Sequence, residues 1–262
     1  MKKEYQATNY ESDLTDKQWE AIKEFFPSGN KSKYHKRSLV EAVLYIVKTG
    51  CQWRMLPHDY PPHDTVWSFY RRARENGVWD KMMQHLVKIT RKQAGRNEEP
   101  SYALIDSQSV KTTCYGENHG YDGEKTKGRK RHIVTDTMGN LLCIHVHAAN
   151  IHDTKGGVYT FEKALYRYPT IQAGCADGGY RGTFRNTFDE FHNIRIDISM
   201  RIKEQKGFQV LPKRWVVERT FAWLNGSRRL SKDYETSCCS AETMIMISHA
   251  ATLLKRSMNT SS

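Results

Sequence analysis

The six cysteines of this 262-residue chain form no CxxC pair, so neither a zinc ribbon nor a dithiol redox centre is written into the sequence. Long apolar runs are missing as well. No stretch approaches 18 residues, and Met1-Lys2-Lys3-Glu4-Tyr5 leads into no hydrophobic segment, which argues against membrane insertion and export. A cytoplasmic protein with reduced thiols is the expectation. No internal repeat is visible, and the one biased tract is the polar 257–262. Acidic side chains are outnumbered, 29 against 41 Lys and Arg, leaving a net charge of +12. That balance favours a polyanion as partner through counterion release, with nucleic acid the leading candidate. The 38% hydrophobic and 11% aromatic content excludes a disordered chain, and the length allows one sizeable domain plus a smaller one.

What is present divides into two regions, 1–95 and 96–262. The first reads as short amphipathic helices. Thr15-Asp16-Lys17-Gln18 forms a capping box, with Leu14 placed to staple onto Trp19. Ser38-Leu39-Val40-Glu41 reads as a second box, opening a helix that Gly50 would end. A third helix is expected from 64 or 65 to 76, with Val66, Phe69, Tyr70 and Ala73 inward and Arg71, Arg72 and Arg74 on the other side. A fourth is expected over 80–92. Short helices, turn-rich connections and a basic face suit a helix-turn-helix-like DNA-binding domain, with Arg71 and Arg72 as candidate contacts. The polar stretch 91–100 reads as a linker.

In the second region strands are expected at 102–106, 131–136, 141–148, 171–176 and 195–200, and helices over 156–168, 183–192 and 213–228. Met138-Gly139-Asn140 marks a hairpin turn. The pattern is an α/β fold, a mixed sheet flanked by helices.

Three carboxylates stand where a strand-borne site would want them. Asp106 ends or interrupts the apolar run Tyr102-Ala103-Leu104-Ile105, where an uncompensated charge is costly to bury. Asp177 precedes Gly178-Gly179, which permit a tight exit and close approach of backbone to a ligand. Glu218 lies inside the amphipathic run RWVVERTFAWLN, 214–225. On its own Glu218 reads better as an i,i+4 surface partner of Arg214. If the three acids converge, their repulsion must be resolved by divalent cations. Hard oxygen donors favour Mg²⁺ or Mn²⁺ over zinc. Two such ions about 4 Å apart can activate a water or a 3′-hydroxyl and stabilise the leaving oxygen at phosphorus. That is the chemistry of DNA strand cleavage and strand transfer.

Four ordered strings carry a family resemblance: IDSQSVKT (105–112), ANIHD (149–153), ADGGYRG (176–182) and RWVVERTFAWLN (214–225). They resemble the blocks of bacterial insertion-sequence transposases of the IS-five family. LTDKQWEAIKEFFP (14–27) and GCQWRMLPHDYPPHDTVWSFYRR (50–72) are similar to that family's N-terminal region, so the likeness spans nearly the whole chain. It implies an RNase-H-like catalytic domain and a DDE triad, which falls on Asp106, Asp177 and Glu218 as both metal ligands and catalytic groups. It also implies a nucleoid-associated DNA transposase acting on terminal inverted repeats as a homodimer. In related transposases the glutamate helix shows Tyr-x2-Arg-x3-Glu-x6-Lys. Arg214 and Glu218 match this pattern, whereas Leu211 and Asn225 stand in place of its tyrosine and lysine.

Basic residues cluster around these strings, nine Lys or Arg against two acids over 201–232. Candidate DNA contacts in the catalytic region are Lys125, Lys127, Arg129, Lys130, Arg131, Arg181, Lys203, Lys213, Arg214 and Arg219. Asp153 reads as a helix N-cap more readily than as a fourth site acid. His145 and His147 read as surface residues rather than metal ligands. Trp215 and Trp223 read as helix packing rather than as stacking platforms. Two other functions suit the same fold: a domesticated DNA-binding protein without chemistry, and a metal-dependent nuclease acting outside transposition.

Overall fold

The computed structural model of the chain describes residues 4–29, 33–113, 115–123, 126–199 and 214–258. It begins with four helices, α1 (Asp16–Ile22), α2 (Lys36–Thr49), α3 (His63–Glu75) and α4 (Val78–Gln93). Thr15 caps α1 through the reciprocal box with Gln18 that the sequence predicts. The second box does not form. His35 caps α2 by accepting from the Arg37 amide, and Glu41 lies buried inside the helix. Its Oε1 accepts from Arg37 Nε at 2.9 Å, Tyr5 Oη at 3.0 Å and the Leu14 amide at 3.2 Å. A glutamate three residues after a serine was the signal for a cap, but tertiary partners claimed it first. Gly50 ends α2 in the left-handed region, φ +72°.

The stretch read as a linker starts within α4. Arg91 is buried, donates to the carbonyls of Asn97 (2.7 Å) and Glu99 (3.4 Å), and forms a 2.6 Å ion pair with Asp136 of the sheet. The polar composition of 91–100 therefore reflects an anchor.

Among the described residues six strands follow: β1 (Tyr102–Lys111), β2 (Gly120–Asp122), β3 (Thr126–Asp136), β4 (Leu141–Ala148), β5 (Ala173–Asp177) and β6 (Arg195–Ser199). Along one path the order is β2-β3-β1-β5-β6, and β4 also pairs β3. β3 runs antiparallel to both β1 and β4, while β1, β5 and β6 run parallel. This is the mixed sheet flanked by helices that the sequence implies. β1 is five residues longer than expected, because Ser107 to Lys111 pair with Gly128 to His132 of β3. Asp106 thus lies in mid-strand. β2, at three residues, was too short to leave a pattern.

Helices α5 (Asp153–Arg167) and α6 (Thr183–Phe191) cover the face carrying Ala103, Ile105 and Ser107. A Cβ on Gly174 would lie 2.7 Å from Phe161 of α5, so this strand position has to be glycine for the helix to approach. Helix α7 (Arg214–Asn225) lies against β1, β3 and β5. Helix α8 (Cys238–Met258) was not anticipated. It is the longest helix described, at 21 residues, and buries residues on nearly every side, so it has little of the one-sided periodicity that betrays a helix. It packs against α4, α2, α7 and β4, and its Ser240 Oγ meets Tyr70 Oη of α3 at 2.9 Å. One continuous apolar core runs from Leu14 to Leu254.

Candidate active site

The β1–β5 register pairs Tyr102 with Ala173, Ala103 with Gly174 and Leu104 with Cys175. Continued by two residues, it sets Asp106 opposite Asp177, on strands about 4.8 Å apart and with both side chains on one face. Each aspartate is oriented by a nearby amide. Asp106 Oδ1 accepts from the Ser107 N–H at 2.8 Å, and Asp177 Oδ1 accepts from the Gly179 N–H at 2.9 Å. A Cβ on Gly179 would come within 3.1 Å of that Asp177 oxygen, so the second glycine keeps the carboxylate uncrowded.

Burial raises the Asp106 carboxyl to about 7. The Ser107 amide pulls it back, Asp177 pushes it up further, and Arg214 and Glu218 act as a smaller opposing pair. The three acids therefore share one field, with Arg214 as its cation. Glu218 is half exposed and lies 3.0 Å from Arg214 Nε. As placed, no three His, Cys, Asp or Glu side chains among the described residues enclose a common metal position. The contact Glu218 makes instead is an i,i+4 pair with Arg214, of a type worth only about 0.3–0.5 kcal/mol. The donors are carboxylate oxygens, the type that hard cations select.

Helix α7 is held in place just beyond Glu218. Arg219 donates to the Met138 carbonyl and Thr220 Oγ1 to the Gly139 carbonyl, each at 2.9 Å. The Arg219 guanidinium also lies 4.5 Å from the Trp215 ring and 4.7 Å from Trp223. The β3–β4 turn is thus the seat of the glutamate helix. Gly139 adopts φ +81°, and a Cβ there would meet Thr220 Oγ1 at 2.9 Å.

Behind Asp106, on the other face of β1, lies a polar network that sequence reasoning missed. Ser107 Oγ donates to Asp153 Oδ1 at 2.8 Å, and Lys130 Nζ reaches the same oxygen at 3.0 Å. His132 hydrogen bonds with Tyr180 Oη at 3.0 Å and stacks on His147 at 4.9 Å. Burial holds the His132 imidazole neutral, down to about 2. A Cβ on Gly156 would lie 2.3 Å from His147 Nε2, so the first turn of α5 rests directly on these rings. Asp153 is not the N-cap of α5. That is His152, whose ring accepts from the Thr154 amide. Nor are the strand histidines on the surface: His147 is buried and His145 meets Glu242 at 3.1 Å. The available signal was that Ser107, Asp153 and Tyr180 sit inside the family-like strings.

A family model described as "Transposase DDE domain" matches residues 97–253, more than half of the chain. The chain belongs to the DDE transposase family. A second model, described as "Putative transposase of IS4/5 family", matches residues 14–83. An uncharacterized protein of Sinorhizobium fredii is 30% identical over 119 residues, which are 44% of this chain and 86% of that protein. Two Burkholderia cepacia proteins are similar. One is named an uncharacterized 16.2 kDa protein of insertion element IS402, 29% identical over 86 residues, 32% of this chain and 57% of that one. The other, "Putative transposase for insertion sequence element IS402", is 31% identical over 115 residues, 41% and 54% respectively. The match thus spans little more than half the length of either. DDE transposase domains generally use divalent metal ions. No helix among the described residues is long and apolar enough to cross a membrane.

For this transposase the expected DNA contacts divide sharply. Arg129, Lys130 and Arg131 are buried in the sheet, which corrects their reading as contacts. Arg129 pairs with Asp233 at 3.2 Å and donates to the Glu117, Glu235 and Thr236 carbonyls. Arg131 donates to the Leu230 carbonyl at 2.9 Å, and Lys130 is held by Asp153. Arg71, Arg72, Lys127 and Arg181 are exposed, while Arg214 and Arg219 are partly exposed beside the site. Lys125, Lys203 and Lys213 lie outside the described residues.

Proposed function

We propose that this protein binds the terminal inverted repeats of an insertion element and catalyses strand cleavage and strand transfer, with Asp106, Asp177 and Glu218 as the catalytic set. What supports this reading is the β1–β5 register, which continued by two residues sets Asp106 opposite Asp177, together with the rise of the Asp106 carboxyl that burial, Asp177 and Glu218 produce jointly. Mg²⁺ or Mn²⁺ held by the three carboxylates, as a pair of ions, would supply an activated water or 3′-hydroxyl and charge stabilisation at phosphorus. The chain's own groups prepare that site. The Ser107 and Gly179 amides orient the two aspartates, and Arg214 holds Glu218 in reserve and is placed to meet a phosphate once the glutamate turns away. The exposed Arg71 and Arg72 of α3 supply sequence-independent contacts from the helical region. Two copies hold the two element ends together.

The test uses Asp106→Asn, Asp177→Asn and Glu218→Gln on a labelled duplex ending in the inverted repeat that flanks the coding sequence. Cleavage in Mg²⁺ or Mn²⁺ should fall by several orders of magnitude in each variant, with gel-shift binding retained. Cleavage at the parent rate in all three variants overturns the assignment.

A further inference from the structure

Gln108 lies two residues beyond Asp106 on the same face of β1 and lines a groove of about 670 Å³. The opposite wall is the end of α7 and the chain that follows it, with Asn225, Leu230, Lys232 and Tyr234. Lys111 stands on the near side. Among the described residues no Asp or Glu lines the groove, and neither lysine has an ion-pair partner. Tyr234 leaves 44% of its surface exposed. Lysine, amide and phenol side chains without an acid make an anion-seeking, hydrogen-bonding surface with one aromatic face.

Its position is set by backbone geometry. Gln108 is about 7 Å along the strand from Asp106, and Asn225 about 10 Å along the helix from Glu218. At about 3.4 Å per base, the groove opens two or three nucleotides from the carboxylates.

Its walls are tied down by hydrogen bonds and ion pairs. Asp233 bridges Thr112, its amide donates to the Lys111 carbonyl at 2.8 Å, and it takes the Arg129 ion pair. Arg131 holds the Leu230 carbonyl, and Arg229 pairs with Glu235 at 2.6 Å. The buried arginines thus fix a groove whose own lysines stay available.

We propose that this groove is a subsite for one DNA strand flanking the scissile bond. Lys111 and Lys232 take successive phosphates, Tyr234 stacks on a base, and Gln108 and Asn225 reach base edges. The inference rests on the reading that DNA is cut at Asp106, Asp177 and Glu218. A small anion would need neither the length nor the tyrosine. An acidic peptide would not explain why the groove leads away from the carboxylates.

The experiment compares the parent with Lys111→Ala/Lys232→Ala, Tyr234→Ala and Tyr234→Phe. The probe is a labelled duplex with a single-stranded tail, and fluorescence anisotropy is followed across a salt series. The double variant should bind at least about tenfold more weakly at low salt and lower the slope of log affinity against log salt by about 1.4, the value for two lost contacts on a single strand. Tyr234→Ala should weaken binding of the tail by about 5- to 150-fold, as expected for one lost stack, and Tyr234→Phe should restore it. An unchanged slope and affinity in the double variant, with unchanged melting, overturns the groove. Parallel cleavage assays separate the two claims. A parent that cuts DNA alongside an unaffected double variant removes the groove alone. A parent that binds with the expected slope but never cuts removes the catalytic reading and leaves the groove standing.

Discussion

A carboxyl held near pH 7 by burial is a proton store in the metal-free protein. The unfolded chain gives up the Asp106 proton near pH 4, whereas the folded protein keeps it to about 7. The group's contribution to stability is therefore fully present below about pH 4 and is lost as pH rises through about 7. With metal chelated, Asp106→Asn should match the parent in acid, pull ahead of it as pH rises from about 4, and hold a constant lead above about 7. The difference should grow by about 1.4 kcal/mol per pH unit at most, measured by denaturant unfolding across the range. A gap that stays constant with pH would show that Asp106 carries no such strain. The neighbours that shape this group were only partly legible. Asp106, Asp177 and Glu218 stand out as acids in apolar surroundings within ordered strings. Ser107 carries no mark of its own, Lys130 reads as a DNA contact and Asp153 as a helix cap, since each acquires its actual role only from a partner 23 to 46 residues away.

At the scale of elements, β1 could be read to Asp106 but not beyond, because the polar half from Ser107 to Lys111 is strand only by virtue of β3. Arg129 and Arg131 failed for the same reason. Their partners, Asp233 and Leu230, lie about a hundred residues downstream, and a basic strand without visible partners looks like a polyanion surface. α8 was invisible because it is apolar nearly all round. It docks on the sheet through His249, whose Nε2 accepts from the Leu141 amide at 2.9 Å. Burial, reinforced by Arg256, depresses this imidazole to about 3. A depressed histidine contributes stability above about pH 6.5, the unfolded value, and loses it as pH falls toward 3. His249→Gln keeps an acceptor but cannot titrate. Its unfolding free energy should fall less steeply than the parent's between about pH 6.5 and 4, though not become flat, since His132 still contributes. Identical acid slopes would rule His249 out.

At the scale of the whole molecule, the helical region and the sheet meet over α4, α8 and the Arg91–Asp136 pair. Arg91 and Asp136 are both almost fully buried, and breaking such a pair leaves a charge without its partner. Arg91→Ala should cost about 3–5 kcal/mol in urea unfolding followed by fluorescence and circular dichroism together. A loss below about 0.5 kcal/mol would mean that Asn140 and the backbone amides around Asp136 suffice.

The clamp at Arg219 and Thr220 makes α7 a lever pinned immediately beside Glu218. The arm from pin to Glu218 is one residue long, so tilting the helix about its seat on the hairpin hardly displaces the glutamate. What such a seat leaves open is rotation of the Glu218 side chain about its own bonds, away from Arg214.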